Sequence, residues 1–273
     1  MPPSGPLQAG GFFATLRAAL SHERRVVGEF FAPMPAPAPL AERLATVLSA
    51  VPPDASEVVL WVPGSAEGWV PAELDAALAS AARPPAVLVP YEASWRLLSS
   101  LEDGVGLLGA LLDALSAGPR PRRVLVAGLS QGAWAIARVL AEPGRRNQVA
   151  RAALFGLPGI SRHRPDPADP GCLVVNHPAD PVVYPMRRHH EALRAAVDHL
   201  ASGRLPRALP GLVAVAATHP GWLGVFAWSK LQPWLGRPDP HHYGPDLAAG
   251  VTFLLGAAPA GEAFHATENA RPA

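Results

Sequence analysis

One cysteine, Cys172, is all the chain contains. No intrachain disulfide can form from it, and a Cys-based zinc site is excluded. Long apolar runs are also missing: the longest, such as residues 104–112, fall far short of the roughly 18 that a transmembrane helix needs. Charge is scarce at 16% of residues, and 23 Lys plus Arg against 22 Asp plus Glu leave a net charge of only +1. That balance argues against a nucleic-acid binder, which carries a basic surplus or stripe. What the chain has instead is apolar residues, 49% of its 273, too many for a disordered protein. Pro (33) and Gly (25) are abundant without reaching low-complexity levels. A chain this long buries a sizeable core without disulfides or metals.

The first apolar stretch, residues 11–20, is broken by Arg17 and followed by His22, Glu23, Arg24 and Arg25. It does not read as a secretory signal, and with the lone cysteine it points to a cytoplasmic protein. Phe12, Phe13, Leu16 and Leu20 can share one helical face, which allows peripheral contact with a membrane surface. Residues 33–39 alternate Pro with Met or Ala and read as a stiff spacer. Residues 1–50 are therefore expected to form a helical extension, 51–260 the main domain, and 261–273 a disordered tail.

Within the main domain, apolar runs rich in β-branched residues occur at 57–62, 86–90, 123–128, 152–156, 172–177 and 212–217. Helical patterns separate most of them, at 71–82, 101–116, 132–141 and 187–201. The runs are continuously apolar, as in strands buried on both faces of a parallel sheet. Strand–helix alternation of this kind predicts an α/β fold with a mostly parallel central sheet. Residues 161–171 read as a polar, proline-rich loop.

The strongest chemical signal is Gly128-Leu129-Ser130-Gln131-Gly132, between a predicted strand and a predicted helix. A G-x-S-x-G sequence in that setting is the nucleophile elbow, in which a tight turn exposes the serine hydroxyl and small neighbours let the backbone pack closely. The helix N-terminus then favours negative charge developing nearby. A nucleophilic serine needs a base, and the base an orienting acid, in the chain order Ser, Asp, His. Asp180 follows the predicted strand at 172–177, at the sheet edge where catalytic groups collect. Asp166, Asp169 and Asp198 are weaker candidates, two in a solvated loop and one on a helix. For the base, His163, His189, His190 and His199 read as surface residues and His177 as decoration of the acid loop. Three candidates remain: His219, His241 and His242.

The flanks of these residues resemble those of cutinase-like serine esterases of the α/β-hydrolase superfamily. Gly128-Leu-Ser-Gln-Gly-Ala133 is similar to their Gly-Tyr-Ser-Gln-Gly-Ala elbow, and Val62-Pro-Gly-Ser-Ala-Glu67 to their Ala-Arg-Gly-Ser-Thr-Glu segment. Val89-Pro-Tyr91, Ala153-Leu-Phe-Gly156 and Asp180-Pro-Val182 match further family segments in order, and His241 to Asp246 resembles the closing His-x-x-Tyr-Gly-x-Asp, one residue short. The resemblance spans roughly residues 57–255 and implies a three-layer α/β-hydrolase-like sandwich. It also implies Ser130 as nucleophile, Asp180 as acid, His241 as preferred base, and an oxyanion hole from the Gln131 N–H and Ser65. Gly118 and Val183 stand where the family carries a disulfide.

Between Asp180 and His241 lies a segment with Trp222, Phe226, Trp228 and Trp234 within 13 residues. It reads either as an apolar wall over the active site or as a helix packed on the core. The expected function is hydrolysis of small-molecule or lipid-like esters with apolar acyl groups, through an acyl-enzyme, with no cofactor and no metal. The alternatives are a thioesterase or acyltransferase using the same acyl-enzyme, and an inactive α/β-hydrolase serving as a binding protein.

Overall fold

The computed structural model describes residues 36–65, 67–94, 97–118, 122–177, 180, 182–183, 199, 207, 209–211, 213 and 241–256. Helix α1 spans Leu40–Ala50, followed by strand β1 (Glu57–Val62), helix α2 (Ala72–Ser80) and the two-residue strand β2 (Val87–Leu88). Next come α3 (Leu97–Ser116), β3 (Arg123–Leu129), α4 (Gln131–Leu140), a 3₁₀ turn (Arg145–Gln148), β4 (Arg151–Phe155) and β5 (Cys172–Val175). A second 3₁₀ turn (Gly244–Asp246) leads into α5 (Leu247–Leu255).

The five strands form one sheet in the order β2-β1-β3-β4-β5, with every pairing parallel. Continuous apolarity is what this arrangement demands, because successive side chains alternate between two covered faces. Val58, Leu60, Val62, Val124, Val126, Ala152 and Leu154 pack on one side with residues of α1, α3 and α4. Val59, Trp61, Leu125, Ala127, Ala153, Phe155 and Val175 pack on the other with Leu74 and Leu78 of α2 and Leu247, Val251 and Leu254 of α5. The result is the expected three-layer α/β/α sandwich.

Three local differences separate this fold from the sequence reading. Helix α1 falls within the expected extension, yet Val47 is buried in the same core as β1 and β3. Arg43 clamps Asp103 of α3 through two bonds of 2.8 and 2.7 Å, so α1 is part of the packed domain. The run at 212–217, expected as a strand, is helical at Val213, as are Leu209–Gly211 before it. A short apolar run rich in Ala carries no period that separates strand from buried helix, and Ala favours the helix. Helix α5 has no counterpart in the sequence reading. The expected helix at 187–201 lies outside the described residues apart from helical His199, as do residues 1–35 and the tail.

In a doubly wound sheet, ligands bind beyond the carboxyl ends of the strands where the winding reverses. Here the chain runs from β1 outward to β2 and returns to β3 on β1's other side. The reversal falls between β1 and β3, and the register places Val62 beside Gly128 and Leu129 beside Phe155. The segments leaving β1, β3, β4 and β5 therefore emerge along one edge.

Candidate active site

Ser130 occupies the turn between β3 and α4 with φ 52° and ψ −111°. A side chain at positive φ is strained, and such strain persists only where the surroundings over-determine it. They do so here. The Ser130 N–H donates to the Phe155 carbonyl at 2.8 Å, and its own carbonyl accepts the Trp134 N–H at 3.0 Å, the first bond of α4. The Ser130 side chain makes no capping bond to the helix. Gly132 is required by contact: a Cβ there would lie 2.0 Å from the Val62 carbonyl oxygen and 2.6 Å from that of Pro63. The end of β1 thus presses directly on the first turn of α4.

That contact brings the Pro63–Ser65 segment beside Gln131. The Ser65 hydroxyl donates to Gln131 Oε1 at 3.3 Å, and Gln131 itself is fully buried. Ser100 Oγ lies 3.3 Å from the same oxygen and also accepts the Ser94 N–H. Tyr91 donates to the Pro63 carbonyl at 2.6 Å. Burial, reinforced by the charges of Glu67 and Asp103, pushes the Tyr91 hydroxyl's ionisation far above its ordinary range, so it remains a donor. The Glu67 carboxylate closes the loop by accepting the Gly64 N–H at 2.9 Å. Burial raises its pKa, opposed by that bond and by the nearby His241 and His242.

The second half of the site lies past β5. Asp180 is fully buried; its Oδ1 accepts the Val182 N–H at 2.8 Å. Its Oδ2 is 2.7 Å from His241 Nδ1 and accepts the Tyr243 hydroxyl at 2.7 Å. The acid loop is tied back to β4's exit, where Asn176 Oδ1 accepts the Leu157 N–H at 3.0 Å. Gly156 has φ +60°, and a Cβ there would come within 3.0 Å of His241 Cε1 and 2.8 Å of Tyr243 Cε2. Phe155, which bonds the Ser130 N–H, and Gly156, which packs against His241, are thus consecutive residues. Two aromatic contacts of Tyr243 complete this half: it stacks on His177 at 4.2 Å and meets His241 edge-on at 5.7 Å. His177 Nε2 in turn pairs with Asp246 Oδ2 at 2.9 Å.

Of the three histidines left open by the sequence, His241 is bonded to Asp180. His242 is exposed, its Nε2 close against Gly244. His219, Trp222, Phe226 and Trp228 lie outside the described residues. Asp166 and Asp169 sit on the loop after β4, where Asp169 pairs with Arg146 at 2.6 Å, its pKa lowered chiefly by that bond. Burial pushes the Cys172 thiol up to about 12, which removes it as a nucleophile near neutral pH. Sequence reasoning missed Tyr243, the Gln131 side chain and the His177–Asp246 pair. The run His241-His242-Tyr243-Gly244-Pro245-Asp246 was the available signal for two of these, since it joins a phenol and a carboxylate to the candidate base. Among the described residues, no cluster of His, Cys, Asp and Glu could hold a metal ion.

No protein-family model matches the chain, and the comparison with curated proteins finds no match. Among solved structures, the chain is similar to an acetylxylan esterase at 13% identity and a TM-score of 0.40, covering 59% of this chain and 99% of that one. It is similar to lysin B of mycobacteriophage D29 at 15% identity and a TM-score of 0.44, covering 59% and 90%. A Trichoderma reesei cutinase, solved with a phosphonate inhibitor, matches at 17% identity and a TM-score of 0.41, covering 71% and 91%.

Proposed function

We propose that the chain is a serine hydrolase that cleaves carboxylic esters of apolar acyl groups. The observation that carries this reading is the 2.7 Å contact of His241 Nδ1 with buried Asp180, at the sheet edge where Ser130 is held at φ 52°. With Nδ1 engaged by the carboxylate, Nε2 is the nitrogen that takes up a proton. Ser130 Oγ attacks the ester carbonyl and its proton passes to His241 Nε2. The C–O bond then breaks, and the alcohol leaves with that proton. Water, deprotonated by the same nitrogen, attacks the acyl-enzyme, and the acid departs as Ser130 regains its proton. The Gln131 N–H at the start of α4 and a donor from Ser65 meet the oxyanion that develops in both steps.

Supporting the apolar acyl preference are the tryptophans at 222, 228 and 234 and the exposed Trp69, four residues past Ser65. Each acyl methylene buried against such a wall contributes about 0.8 kcal/mol, close to fourfold in kcat/KM. The test uses p-nitrophenyl esters from acetyl to decanoyl. Ser130→Ala and His241→Ala are each expected to lose about 10⁴-fold or more in kcat, while His242→Ala retains most activity. Wild-type turnover in Ser130→Ala would end the serine-hydrolase reading. A flat chain-length profile would remove the acyl preference while leaving the chemistry.

A further inference from the structure

We propose that Tyr243 is a positioning residue for the Asp180 carboxylate, and that the His177–Asp246 pair is the platform that holds Tyr243 in place. This rests on the serine-hydrolase reading above and adds a unit that the nucleophile–base–acid set does not contain.

A carboxylate oxygen accepts about two hydrogen bonds, and Asp180 Oδ2 takes both His241 Nδ1 and the Tyr243 hydroxyl, each at 2.7 Å. With Oδ1 on the Val182 N–H, the carboxylate is fixed at both ends and cannot rotate about its bond to Cβ. The phenol is fixed as firmly. Its one proton goes to Asp180, and its oxygen accepts the His177 backbone N–H at 3.1 Å. Burial, and then the charge of Asp180, raise its ionisation far above the ordinary range, so it stays a donor near neutral pH.

The ring is held too. One face stacks on the His177 imidazole, with planes 23° apart, its edge relation to His241 is perpendicular, and Phe155 tilts against it at 6.4 Å. The stacking imidazole is itself tethered by Asp246 at 2.9 Å. Asp246 sits at the N-cap of α5, yet makes no side-chain cap bond there; its carboxylate goes to His177 instead. A chain of contacts thus runs from the start of α5 through half-buried His177 and buried Tyr243 to the candidate acid.

Removing the phenol's hydrogen bond has a specific electronic consequence. A donor to a carboxylate offsets part of its negative charge, and losing it strengthens the field that Asp180 exerts on His241. The His241 imidazolium is then favoured, and the acidic limb of the kcat/KM profile moves to higher pH. Among the described residues, the charged groups facing His241 include Asp180 on the acid loop, Glu67 on the loop after β1, and adjacent His242. Tyr243→Phe changes none of them, so the shift reports the lost hydroxyl. A role confined to packing would lower thermal stability and leave the limb where it is.

The experiment compares wild type and Tyr243→Phe in kcat, KM and pH profile, with active enzyme counted by fluorophosphonate titration of Ser130. The expected result is a roughly tenfold fall in kcat, the size of one hydrogen bond to a charged group, with KM little changed and the acidic limb displaced upward. An unchanged kcat and limb in Tyr243→Phe, with an active wild type, overturns the proposal alone. A wild type that neither turns over esters nor takes the probe overturns the serine-hydrolase reading and this proposal with it. Should Tyr243→Phe fail to fold, His177→Ala carries the test. It keeps the backbone N–H but removes the stacked ring, and should displace the limb in the same direction by less. No displacement there overturns the proposal as well.

Discussion

At the scale of single residues, the site holds groups on which burial and local partners act in opposite directions. Glu67 is the clearest. Its carboxyl lies in the loop after β1 with its pKa raised above the ordinary 4.5, first by burial, against the opposing effects of Gly64, His241 and His242. A group whose folded pKa is raised stabilises the fold below its unfolded value and loses that contribution as pH climbs through the folded one. Wild-type stability should therefore fall from about pH 4.5 upward through that window, to the extent that Glu67 ionises at a cost. Glu67→Gln keeps an oxygen for the Gly64 N–H and removes the titration. Urea unfolding across this range should show a flatter profile in the variant, and an identical slope would show that Glu67 ionises without penalty. Gly132 offers a steric test. A methyl group 2.0 Å from the Val62 carbonyl oxygen and 2.6 Å from that of Pro63 meets backbone that cannot swing aside, so Gly132→Ala should cost at least about 3 kcal/mol, the upper end for overpacked cores. A loss below about 1 kcal/mol in denaturant unfolding would mean that β1 and α4 part easily.

At the scale of elements, α1 shows how a segment outside the strand–helix alternation becomes part of the core. Arg43 and Asp103 are 13% and 8% exposed, and Asp103 also accepts the Glu92 N–H at 3.1 Å. Asp103→Ala leaves a buried guanidinium without its carboxylate and should cost about 3 kcal/mol, read from denaturant unfolding. A cost under about 1 kcal/mol would mark the pair as a surface ion pair. The sequence hides this bridge because its partners are 60 residues apart. It exposes β1, β3, β4 and β5 because each must be apolar on both faces, and the elbow because strand, G-x-S-x-G and helix are contiguous. The run at 212–217, helical at its one described residue, Val213, is ambiguous for the complementary reason: six residues of Leu, Val and Ala suit a strand or a buried helix equally. The residues alone leave His219, His241 and His242 open, since the link to Asp180 bridges 61 positions; only the resemblance of the His241–Asp246 run favours His241. Tyr243 enters the sequence reading only as the tyrosine of the closing family motif, because nothing in the sequence shows that its hydroxyl reaches Asp180, 63 positions away.

At the scale of the whole molecule, the account rests on one convergence. A parallel sheet wound in both directions brings the ends of β1, β3, β4 and β5 to one edge, and the winding reverses between β1 and β3. The Ser65 loop, the Ser130 elbow, Gly156 and the Asp180 loop all leave the sheet there, and the 3₁₀ turn before α5 delivers His241 and Tyr243 to the same place. That arrangement has chemical meaning only if Ser130 is activated. The most direct measurement is fluorophosphonate labelling of the full chain, with the modified residue identified by peptide mass spectrometry. The account predicts stoichiometric phosphonylation at Ser130 in wild type and labelling about 10³-fold slower or more in His241→Ala. No modification of wild-type Ser130, or equal labelling of the two proteins, would contradict it.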